Sequence, residues 1–279
     1  MTSKNLKLVL KNANKNSYAV AGLVVLGWEE ALAFTQAATE TGIPIILQAG
    51  PGCRKHIPIP ILGKMFRYLS EQTNVSIVSH IDHAYTEREC LEGIDNGFTS
   101  VMFDGSKLSI KENIKKTSSI VKIAEKANVS VEGEVGIVGY HKGKSSISTS
   151  LEESILFANE SGASAMAVSV GNTHLQLNKK AKIDFNLIKK IEKFTKIPLV
   201  LHGGSGISNQ IRKKLARNTN IAKFNIGTEI RVLFGKTVRK QLNQNKNMFD
   251  RNEILSPSIL KIKTLTKKII SNIGPLNNV

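Results

Sequence analysis

Val75-Ser76-Ile77-Val78-Ser79-His80-Ile81-Asp82-His83 is an apolar run that ends on a carboxylate beside an imidazole. Its length and its valine and isoleucine content are those of a buried strand. A strand that stops on Asp82-His83 would set a proton acceptor next to a metal-type donor at one edge of a sheet. On both sides of it, runs of the same kind alternate with longer stretches of helical period. Strands are expected over 18–26, 43–48, 75–81, 98–103, 129–135, 163–170, 197–201 and 221–224, with helices over 28–41, 60–73, 87–96, 110–127, 151–161, 185–194, from about 208 and after the last strand. Eight such units predict an α/β fold, a (β/α)8 TIM barrel over about 18–245, with a C-terminal helical extension over about 256–279 and no linker dividing the single domain 1–279. A doubly wound open sheet is the alternative, but no Gly-x-Gly-x-x-Gly turn follows the first strand.

Composition narrows the function classes. The chain has 279 residues, 41% of them hydrophobic and 22% charged, enough to bury a large core. Its formal charge of +17 raises nucleic acid as a partner. Against that, the lysines are scattered over many helix faces among many asparagines, and aromatics make up only 5%, too few for stacking platforms. The charge reads as a biased, solvated surface that also draws in anionic substrates; no nucleic-acid partner is expected. The opening residues lack an apolar core of signal-peptide length and the apolar runs are short of a membrane span, so a cytoplasmic protein without a membrane partner is expected. The two cysteines, Cys53 and Cys90, have no metal-type spacing.

In a barrel the C-terminal ends of all strands open on one face. Those ends here carry Asp82, His83, Asp104, Glu134, His174, His202 and Asn225. Three imidazoles, His83, His174 and His202, converging from separate strands make a ligand set for Zn²⁺ with room left for substrate. His80 lies deeper and reads as structural. Glu132 and Glu134, two apart on the fifth strand, point to the same side of the sheet. The polar stretch 136–150 reads as an active-site loop or a surface excursion. Gly203-Gly204-Ser205-Gly206, ahead of a helix, and Asn225-Ile226-Gly227-Thr228 after the eighth strand offer backbone N–H groups to an anion. Taken singly, each of these has a plain alternative: a hydrogen-bonded histidine, or turn chemistry.

Taken together, His80-Ile81-Asp82-His83, the segments 98–106 and 129–136, Leu199-Val200-Leu201-His202-Gly203-Gly204-Ser205-Gly206 and Ile221 to Thr228 resemble the class II, metal-dependent fructose- or tagatose-bisphosphate aldolases over nearly the whole chain. That resemblance implies a catalytic Zn²⁺ on His83, His174 and His202, with Glu134 and Asp104 near alternative or second cation positions. It implies Asp82 as the proton-transfer residue and Gly203, Gly204, Ser205 with Asn225, Ile226, Gly227 and Thr228 as the cradle for the phosphate of a dihydroxyacetone phosphate unit. Arg231 would reach the far phosphate. The substrate would be a phosphorylated ketose and the assembly a homodimer or homotetramer.

Four positions depart from the family pattern. The loop 139–144 has no acidic residue to exchange the proton on the enediolate carbon, a task that His141 could take. Leu175 follows His174 where glycine is usual, Gly227 lacks a side chain, and Val24 replaces a polar residue on the first strand. The metal ligands and Asp82 survive while the substrate shell differs, which points to altered specificity. The competing readings are an aldolase for another phosphorylated deoxy-sugar or keto-acid, and a non-catalytic barrel that binds metal or sugar phosphate.

Overall fold

The computed structural model describes residues 4–140 and 145–276. Eight strands, β1 (Val20–Val24), β2 (Ile45–Ala49), β3 (Ile77–Ala84), β4 (Ser100–Phe103), β5 (Ser130–Val135), β6 (Ala165–Val168), β7 (Leu199–Leu201) and β8 (Ile221–Ile226), pair in parallel in sequence order, and β8 closes on β1. This is the expected TIM barrel. The strands are nearly continuous apolar runs because helices cover their outer side and the packed lumen covers the inner.

Helices α1 (Leu6–Lys15), α2 (Trp28–Thr41), α3 (Pro51–His56), α4 (Ile59–Glu71), α5 (Glu87–Asp95), α6 (Ile110–Lys126), α7 (Leu151–Glu160), α8 (Phe185–Phe194), α9 (Asn209–Asn218), α10 (Thr228–Gln244) and α11 (Arg251–Ile273) complete the chain. Reciprocal capping boxes at Thr86–Glu89 and Ser109–Glu112 start α5 and α6, and Gly42 ends α2 in the left-handed conformation. α11 lies along α2 and touches β1, α9 and α10, burying Ile262, Ile269, Ile270 and Ile273.

Two helices were not anticipated. α1, capped by Asn5, buries Leu6, Val9, Leu10 and Ala13 in a cluster with Val20, Ile46, Val78, Met102 and Val200. It plugs the N-terminal end of the barrel. Each such leucine contributes about 1.5–3 kcal/mol by leaving water. α3, only six residues long, turns the chain back under the β3 mouth and carries Arg54.

One irregularity in the barrel matters for chemistry. β3 and β4 are in register at His80–Ser100 and Ile81–Val101, then slip, so that the next pair is Ala84–Phe103. His83 sits in this bulge with φ of 107°, a conformation that costs a non-glycine residue about 1–3 kcal/mol. Strand neighbours normally face opposite sides. The bulge lets Asp82 and His83 both line the same cavity.

Candidate metal centre and phosphate cradle

His83 in β3, His174 in the turn after β6 and His202 just past β7 meet at the C-terminal mouth of the barrel. One nitrogen from each lies within 4.8 Å of the others, and their ring centroids are 4.6 to 5.7 Å apart. His202 Nε2 is 3.2 Å from Glu132 Oε1, while its Nδ1 is buried with no hydrogen-bond partner. An unpartnered buried imidazole nitrogen in a three-histidine cluster is what a divalent cation would satisfy. Burial and the neighbouring histidines push the ring of His174 down to about 3, into the neutral form that binds metal. The donor set fits a metal of the zinc class.

Acidic groups crowd the same spot. His83 Nδ1 is 3.0 Å from Asp104 Oδ2 and 3.8 Å from Glu134 Oε2, and these three form a second group close enough to share a cation. Burial disfavours the charged ring of His83, but Asp82, Asp104 and Glu134 outweigh it and push it up to about 9. Burial lifts Glu134 to about 7, and its Oε2 has no hydrogen-bond partner. Three carboxylates around one imidazole call for positive charge.

Asp82 is the reactive-looking member. Gln48 Nε2 at 3.0 Å and Asn225 Nδ2 at 3.1 Å both donate to its Oδ1. Among the described residues Oδ2 accepts no hydrogen bond, and Asp82 lines a cavity of about 230 Å³. Burial alone would raise its carboxyl, yet His83, His202, Lys223 and His80 together hold it below the usual carboxylate range. It is an ionised base with one oxygen fixed and the other free. Arg54 secures the strained backbone around it, donating to the carbonyls of Ala49, Asp82 and His83.

The two anion loops converge on the same cavity. Gly203, Ser205, Asn225, Gly227, Thr228 and Arg231 line it together with Asp82 and His83. Ser205 Oγ accepts from the N–H groups of Gly227 and Glu229 at 3.3 Å each, capping α10 where a phosphate would bind. Gly204 and Ile226 do not line the cavity. Ile226 is fully buried in the outer core, and a Cβ on Gly204 would fall 2.8 Å from its Cδ1, so these two shape the loops from behind. His141 and the rest of 141–144 lie outside the described residues; Tyr140 just before them stacks on His174 with ring centroids 5.0 Å apart.

Gln48, Arg54, Glu132 and Lys223 were not singled out for the site in the sequence. Of these, Lys223 carried the best available signal, a lysine inside the apolar run of β8. The walls are as apolar as the sequence implied. Val24 fills the space beside Gly227, where a Cβ would come 3.0 Å from Val24 Cγ2, and Leu175 is 46% exposed with φ of 55°.

A family profile described as Fructose-bisphosphate aldolase class-II matches residues 4–278. The chain belongs to the class II fructose-bisphosphate aldolase family. It is therefore an enzyme of the carbon–carbon lyase type, in a family that acts on phosphorylated sugars and generally depends on a divalent metal. The fructose-bisphosphate aldolase of Mycoplasma genitalium is 34% identical, covering 95% of this chain and 96% of that one. That of Geobacillus stearothermophilus is 33% identical over 94% of each. The solved YdjI aldolase of Escherichia coli superposes with a TM-score of 0.84 over 98% of both chains, at 24% identity. The fructose-bisphosphate aldolase of Campylobacter jejuni superposes with a TM-score of 0.80 over 96% of this chain and 93% of that one, at 22% identity. At those identities the two structures speak to the fold. Among the described residues no helix is long and apolar enough to cross a membrane.

Proposed function

We propose that this aldolase cleaves and forms the C3–C4 bond of a phosphorylated ketose, with Zn²⁺ held by His83, His174 and His202 and with Asp82 as the base. The observation that carries this reading is the arrangement of three imidazoles around a cavity into which an ionised carboxylate presents one unpaired oxygen. When bound, the metal supplies Lewis-acid stabilisation to the charge that develops on the ketone oxygen.

The protein's own groups do the rest. Asp82 takes the proton of the C4 hydroxyl as the bond breaks, the aldehyde leaves, and the electron pair remains on C3. In the reverse direction Asp82 returns that proton to the new alkoxide. Gln48 and Asn225 hold Asp82 in one orientation, so no search precedes the transfer. The loops at Gly203 to Ser205 and Asn225 to Thr228, with the N-terminus of α10, bind the phosphate next to the ketone. Arg231 takes the anionic group at the far end. Asp104 and Glu134 support His83 and would hold a second cation.

Fructose and tagatose bisphosphates are the nearest substrates. The apolar wall of Val24, bare Gly227 and Leu175 favours a second reading, an aldolase whose substrate carries fewer hydroxyls beside the reacting bond or a keto-acid in place of the sugar. Both are tested by metal analysis of the purified protein and a cleavage assay over a panel of phosphorylated ketoses, with and without chelator. Chelator-sensitive release of dihydroxyacetone phosphate supports the proposal, and the preferred sugar decides between the two substrates. Protein that binds no divalent metal, with His83→Ala unchanged in every respect, would end it.

A further inference from the structure

Below the histidine cluster the barrel lumen holds a charged set sealed from solvent. Lys223 on β8, Glu132 on β5 and His80 on β3 are each 0% exposed. Lys223 Nζ donates to Glu132 Oε2 at 2.6 Å and lies 3.2 Å from His80 Nε2, whose Nδ1 is 2.8 Å from Ser100 Oγ. The other oxygen of Glu132, Oε1, is the one that meets His202 Nε2.

Stability does not explain this set. Two charges taken wholly out of water recover little more than their desolvation cost, and apolar residues of the same volume would serve the fold as well. The hydrogen-bond arithmetic is more informative. An ionised carboxylate only accepts, so the nitrogen of His202 that faces Glu132 must carry the ring proton. In the neutral ring Nδ1 is then a bare lone pair, and Nδ1 is the buried atom without a partner.

We infer that Glu132 is a positioning residue of the metal centre: anchored by Lys223, it locks His202 in the Nε2–H form and so presents Nδ1 to the cation. Lys223 also keeps Glu132 from becoming a ligand itself, because Oε2 is committed to the ammonium. His80, donating to Ser100 and accepting from Lys223, fixes the ammonium in turn. The inference rests on the proposed role of the three histidines. It assigns different tasks to the two carboxylates of β5, with Glu134 beside the cluster and Glu132 one layer beneath it.

The test compares Glu132→Gln, the double variant Glu132→Gln/Lys223→Met, and His202→Ala. The double variant leaves no unpaired charge in the lumen and so separates loss of positioning from loss of folding. Zn²⁺ affinity is measured by competition with a chromophoric chelator, with the fold followed by circular dichroism. The tautomer of His202 in metal-free wild-type protein is read from side-chain ¹⁵N shifts. The expected result is Nε2–H in the wild type and roughly 10- to 100-fold weaker Zn²⁺ binding in both Glu132 variants. A folded double variant within twofold of wild-type affinity overturns the inference, as does a wild-type His202 protonated on Nδ1; the ¹⁵N reading needs no variant and stands even where one fails to fold. If His202→Ala itself leaves Zn²⁺ affinity unchanged, the metal assignment fails and the inference with it. Loss of affinity in His202→Ala alone overturns only the inference.

Discussion

Gly22 of β1 lies so close to Gln48 of β2 that a Cβ on it would fall 2.2 Å from Gln48 Oε1 and 2.9 Å from Asn225 Oδ1. These are the two amides that hold Asp82. The bare backbone of β1 is therefore the wall against which the base is aligned. Gly22→Ala is expected to push both amides aside and lower kcat/KM by about 100-fold, the cost of misplacing a reacting group by an ångström, with bound metal unchanged. Steady-state kinetics and metal content on the same preparation check it; wild-type kinetics would show that the amides are not needed for alignment.

Asp82→Asn keeps the shape and removes the base. Turnover should fall by roughly 10²- to 10⁴-fold while Zn²⁺ binding persists. The folded-state carboxyl is depressed, so Asp82 stays ionised as pH falls through the ordinary carboxylate range, and only below that range does it gain a proton. The acid limb of the wild-type pH–rate profile should therefore not reflect an ordinary carboxylate near about pH 4. A limb at that value that vanishes in Asp82→Asn would contradict the depressed carboxyl.

Arg54 is the donor for three backbone carbonyls around the bulge. Arg54→Met preserves the apolar stem and strands those acceptors, at about 1–3 kcal/mol for a buried group left unpaired. Urea unfolding should show a loss of about 3 kcal/mol or more, and activity should fall further than stability alone explains because His83 is no longer held at positive φ. An unchanged unfolding midpoint would mean that water replaces the guanidinium fully.

Leu10 is fully buried in the plug formed by α1. Leu10→Ala should cost about 2–5 kcal/mol and leave kcat and KM as they are, since the plug and the mouth are at opposite ends of the barrel. Denaturant melts with kinetics below the transition measure both. A kinetic defect without a stability defect would overturn the separation of the two ends.

The barrel was legible in the sequence because each strand is a short apolar run and each outer helix keeps a one-sided period. The ends of the strands were less so: β3 runs on to Ala84 and β8 to Ile226, past polar residues such as Asp82 and Asn225 whose side chains are satisfied by partners from other strands. Asp82, His83, His174 and His202 could be found because rare chemical types recur at strand ends. Gln48 and Lys223 could not be assigned a task, since their partners are remote in sequence and only barrel closure brings β2 and β8 to β3. α1 shows its apolar face at Leu6, Val9, Leu10 and Ala13, but nothing local says that such a helix closes a barrel. Arg54 looks like any surface arginine until the carbonyls it grips are seen.

The slip between β3 and β4 gives one strand two adjacent addresses in the same chamber. Had the ladder continued unbroken, acid and imidazole would stand back to back across the thickness of the sheet, one of them lost among the outer helices. Removing one residue at this point would leave the barrel's apolar inventory intact and still separate the pair. Such a chain could fold and yet be inert, so the length of this single strand, counted in residues, is itself a determinant of catalysis.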